Sequence, residues 1–92
     1  MTSHPAHTFL LQSAASEKMH IHCQAVVNCC VGAVEGTNLN ADVFIIAGWL
    51  HDLGKLIDDD NHHLASITFL NSFLEAYPEY LPLQPEISDC II

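Results

Sequence analysis

Residues 41–55 read ADVFIIAGWLHDLGK. Asn40 can cap a helix at its start and Gly54 can end one. Between them stand Val43, Phe44, Ile45, Ile46, Ala47, Trp49, Leu50 and Leu53. At about 100° per residue these side chains point to every side of a helix. A helix that is apolar all round lies at the centre of its fold. The stretch therefore predicts a buried helix over 41–53, with His51 and Asp52 at its C-terminal end. That end carries partial negative charge and favours a cation.

Upstream, 18–35 reads as a second helix with the stripe Cys23, Val26, Val27, Cys30, Ala33 and Val34, and Gly36 falls just past its end. A short helix is expected over 8–16. Residues 1–7, with Pro5 and two histidines, read as a disordered tail. Downstream, 57–61 is a polar loop containing Asp58, Asp59 and Asp60, whose carboxylates read as a solvated run. Asn61 can cap a helix that reaches Tyr77 along Leu64, Ile67, Leu70 and Leu74. Pro78, Pro82 and Pro85 punctuate a connection, and 86–92 reads as the opening of another helix. No segment alternates in the manner of a strand. The expectation is an all-α compact bundle of about four to five helices in a single domain over 1–92. The last residues, Cys90-Ile91-Ile92, break off inside a helical pattern. They read as the N-terminal part of a larger domain, with an apolar seam at Ile87, Ile91 and Ile92 that predicts a homo-oligomer.

Half of the 92 residues are apolar and 14% are charged, which excludes a disordered chain. Eleven acidic residues face two basic ones, Lys18 and Lys55, for a formal charge of −9. Such a surface opposes nucleic-acid polymers and anionic membranes. A small phosphate ester is not opposed, because a bound metal reverses the local field. No apolar run is long enough to span a bilayer, and no basic residue precedes Lys18 as a signal peptide requires. A cytoplasmic protein is expected. The four cysteines, at 23, 29, 30 and 90, lack zinc-knuckle spacing and read as buried free thiols.

Seven histidines are the unusual feature. His51 and Asp52 offer one nitrogen and one oxygen, a donor set suited to zinc, manganese, iron, nickel or cobalt. A third ligand is required, and the preceding helix offers His20 and His22. Helical phase does not choose between them, because they flank its apolar stripe on opposite sides.

His22, followed by Ile45 to Lys55 (IIAGWLHDLGK), resembles the HD superfamily of metal-dependent phosphohydrolases. The stretch Asn61 to Leu74 (NHHLASITFLNSFL) is similar to the region after that family's His-Asp pair. The resemblance covers roughly residues 18–92 and implies a helical bundle holding a divalent transition metal. It selects His22 over His20 and implies His22, His51 and Asp52 as metal ligands. It points to His62 as a ligand of a second metal or a substrate contact, whereas helical phase favours His63. The family's distal Asp has no match; Asp89 comes too early in the chain. The implied activity is hydrolysis of a nucleotide or another small phosphate ester, with Asp52, Lys55 and His62 as catalytic residues. The alternative is a non-catalytic, truncated module that binds metal or oligomerises, and the isolated chain is expected to be weakly active or inactive.

Overall fold

The computed structural model describes residues 4–13, 16–57 and 60–91. They form five α-helices: α1 (Pro5–Gln12), α2 (Glu17–Val34), α3 (Ala41–Leu50), α4 (His62–Ala76) and α5 (Gln84–Ile91). Two 3-10 segments, Leu53–Leu56 and Pro78–Leu83, follow α3 and α4. The protein is an all-α helical bundle, and no described residue is in a strand. No described helix is long and apolar enough to cross a membrane.

α3 is the axis of the bundle and packs against α1, α2, α4 and α5. Its Val43, Ile46, Ala47, Trp49 and Leu50 are buried together with Leu53. Leu10 of α1, Cys23 and Val27 of α2, Leu70 and Phe73 of α4, and Ile87 and Ile91 of α5 close around them. Each fully buried aliphatic or aromatic side chain contributes about 1.5–3 kcal/mol, so the core is carried by α3 and its immediate neighbours. The Asn40 side chain accepts the Asp42 amide at 2.9 Å and caps α3. Ser16 does the same for α2 through the Met19 amide at 3.1 Å. Gly36, with φ of 78°, supplies the left-handed backbone after α2.

Four expectations change. The N-terminal residues that composition marks as a tail belong to α1 from Pro5 onward, capped by the His4 ring on the Ala6 amide at 3.1 Å; residues 1–3 lie outside the described residues. Tertiary contact holds α1 down. Ala6 is fully buried, His4 lies 3.1 Å from Asp42, and the His7 ring stacks on Trp49 with centroids 4.3 Å apart. Ile87 and Ile91 do not form an exposed seam: they are buried against the chain's own core, which removes that reason to expect a dimer, and Ile92 lies outside the described residues. Of the cysteines only Cys23 is buried, while Cys29 and Cys90 are exposed; all four are free thiols. Burial first, then the Asp52 charge, pushes the Cys23 thiol up to about 11. The fourth change, at the end of α3, concerns the site.

His7 also meets His20 of α2, Nε2 to Nε2, at 2.8 Å. Burial, then the neighbouring His20, holds His7 below its ordinary value of 6.5. A lowered histidine stabilises the fold above that value, and the contribution fades as pH falls through it. We therefore expect α1 to loosen from Trp49 below pH 6.5, seen as a change in Trp49 fluorescence that His7→Phe reduces. Equal pH profiles for the two proteins would contradict this account.

Candidate metal centre

α3 stops at Leu50, three residues short of the helix expected to reach Leu53. The cause is α4. Gly54 is not a left-handed cap; it lies where the first turn of α4 touches the chain. A Cβ there would collide with the His62 carbonyl oxygen and stand 2.7 Å from Ser66 Oγ. The Gly54 amide donates to Ser66 Oγ at 2.8 Å, and that hydroxyl donates to the His51 carbonyl at 2.7 Å. Fully buried Ser66 thus satisfies two backbone groups that the interrupted helix leaves over. Ser66→Ala strands both and should cost about 1–3 kcal/mol, measured by denaturant unfolding; a loss below about 0.5 kcal/mol would show that another group replaces the hydroxyl.

This turn aims His51 and Asp52 at α2. The His51 ring Nδ1 lies 2.7 Å from the Gly48 carbonyl. A carbonyl only accepts, so Nδ1 is the donor to it, and Nε2 is the nitrogen turned toward Asp52. Fixing one ring nitrogen in this way is how metal-bound histidines are oriented. Asp52 is buried, and a buried carboxylate needs partners. Its Oδ2 lies 2.9 Å from His22 Nε2, 3.3 Å from His51 Nε2 and 3.9 Å from Lys55 Nζ. Its Oδ1 lies 3.6 Å from His62 Nε2.

His22, His51 and Asp52 each present one ligand atom, and all lie within 4.8 Å of one another. Adjacent ligands of a six-coordinate cation at about 2.1 Å stand about 3.0 Å apart, and those of a tetrahedral one about 3.4 Å. The two distances on Oδ2, 2.9 and 3.3 Å, each fall about 0.1 Å short of one of these values. The donor set, the spacing and the orientation of His51 Nε2 therefore fit a divalent transition metal. The His22 side chain is 55% exposed, which leaves room for water or substrate on that side.

His62 is half-buried and faces Asp52, whereas the adjacent His63 is exposed, with ring centroids 3.9 Å apart. His62 is outside the three-ligand cluster, and so is exposed Asp89. His20 turns away from the cluster toward His7 and Trp49. Asp58 and Asp59 lie outside the described residues.

A cleft of about 320 Å³ opens beside the cluster, lined by Ser16, Lys18, Met19, His22, Asp52 and Lys55. It holds both basic residues of the chain. The sequence motif points to Lys55 and not to Lys18; the signal for Lys18 is its place one helical turn before His22, on the same face of α2.

Comparison of the chain with family models, curated proteins and solved structures gives no match. The function must be read from the site itself.

Proposed function

We propose that the protein is a metal-dependent phosphohydrolase of the HD type acting on a small phosphate ester. One observation carries this reading: two histidine nitrogens meet a single buried carboxylate oxygen at the wall of the cleft that holds both lysines. Cation ligands and anion-binding side chains in one cleft suit a phosphate.

His22, His51 and Asp52 would hold the metal. A divalent ion there supplies charge to polarise a phosphoryl oxygen and lowers the pKa of water. Lys55 draws the phosphoryl oxygens toward Asp52 as a point charge. In the hydrolysis, a water oxygen bonds to phosphorus, the ester P–O bond breaks, and one water proton ends on the leaving oxygen. His62 Nε2, on the far oxygen of Asp52, is the side chain we assign to that proton.

A second reading, a metal-binding module without catalysis, is favoured by the count of ligands: only three converge among the described residues. Three ligands plus water suffice for catalytic zinc, but an exposed site loses electrostatic stabilisation to solvent. Turnover of p-nitrophenyl phosphate and a nucleotide panel with added Mn²⁺ or Ni²⁺ separates the two. The hydrolase reading expects slow turnover that chelator abolishes and that Asp52→Asn lowers by on the order of 10²–10³. Metal binding with no turnover would favour the module.

A further inference from the structure

We propose that Lys18 binds a second phosphate of the substrate, so that the cleft takes a small diphosphate-class molecule rather than a simple monoester. This rests on the phosphohydrolase reading for the first phosphate, which faces Asp52 and Lys55.

The chain has two basic residues against eleven acidic ones, and random placement would scatter them. Both line one cleft, from different elements: Lys18 from the first turn of α2, Lys55 from the 3-10 segment after α3. Their situations differ. Lys55 Nζ is 3.9 Å from Asp52 Oδ2 and is paired with the ligand cluster through that carboxylate. Lys18 is exposed and makes no ion pair with a described residue, and it projects from the same face of α2 as His22. A phosphate held at His22, Asp52 and Lys55 leaves Lys18 at the rim, in reach of the next anionic group along the molecule. The cleft, about 320 Å³, falls in the small-molecule range of about 300–1,000 Å³ and exceeds one phosphate. The same charge balance sets an upper size. A polyanion would be carried over the surrounding acidic surface, whereas a diphosphate stays between the two lysines.

The test uses the fact that the chain has only two lysines. Acylation of Lys18 and Lys55 by an amine reagent is followed by mass spectrometry, with the N-terminal amine as internal reference. Inorganic pyrophosphate and methyl phosphate are the probes, in metal-free protein and again in buffered free Mn²⁺. Pyrophosphate should slow modification of both lysines, by about fivefold or more, in at least one of the two states. Methyl phosphate should slow Lys55 alone. Lys18→Gln should weaken pyrophosphate binding by about tenfold and methyl phosphate binding by less than about twofold, and Lys18→Arg should restore pyrophosphate binding. In kinetics the Lys18→Gln loss should fall on KM for a diphosphate substrate, as expected of a positioning residue. Lys18 acylated at one rate with and without pyrophosphate in both states would overturn the proposal, and so would equal protection of both lysines by methyl phosphate. Labelling needs no turnover. Protection of both lysines in protein that binds none of Mn²⁺, Fe²⁺, Zn²⁺, Ni²⁺ and Co²⁺ would retire the hydrolase reading while leaving the diphosphate subsite standing.

Discussion

Gly54→Ala should unfold the protein at a temperature about 12–24 °C lower than the wild type, from a loss of about 3 kcal/mol. The added methyl meets backbone of α4 at His62 and the Ser66 hydroxyl, not the far end of a flexible side chain. The first turn of α4 must move away, and it carries His62 and the Ser66 bridge to His51 with it. Metal affinity should therefore fall together with stability. Gly32→Ala is the control. That glycine lies inside α2 with nothing within 4 Å of an added Cβ. It should gain about 0.5–1 kcal/mol from the better helix former. Thermal unfolding followed by circular dichroism checks both, and a Gly54→Ala protein within about 1 kcal/mol of wild type would show that α4 yields easily.

His22→Ala and His20→Ala should part company by at least about 10²-fold in metal affinity, although a single residue, Ile21, separates the two histidines in sequence. His22 Nε2 stands 2.9 Å from Asp52 Oδ2, whereas His20 Nε2 meets His7 Nε2 at 2.8 Å on the Trp49 side. Removing His22 leaves two ligands, which hold a transition metal poorly. Removing His20 leaves the cluster intact and touches only the attachment of α1. Equal metal affinities in the two variants, by calorimetric titration, would remove His22 from the ligand set.

The sequence makes α3 legible because a helix apolar on every side has one place to go, and the bundle builds around it. It makes His51 and Asp52 candidates for the same reason, since they close a buried helix and one of them carries a charge. The end of α3 is not legible. Gly54 carries the local signature of a helix cap, while its actual requirement is close approach of α4, a contact between residues twelve positions apart. Phase along α2 is symmetric for His20 and His22, so only the position of α3 separates them. The order of Pro5 to His7 is invisible for a related reason. Its polar composition suggests a tail, and the surface that holds it belongs to Trp49 and Asp42 of α3. Ile87 and Ile91 look unpartnered in sequence because their partners lie on other helices.

His22, His51 and Asp52 together should hold one divalent transition metal. Elemental analysis after loading with Mn²⁺, Fe²⁺, Zn²⁺, Ni²⁺ or Co²⁺ and desalting tests it most directly, on wild type, Asp52→Ala and His51→Ala. About one ion per chain is expected in the wild type for at least one of these metals, with loss of that ion in both variants. A wild type that retains none of them, or variants that keep the ion at wild-type stoichiometry, would contradict it.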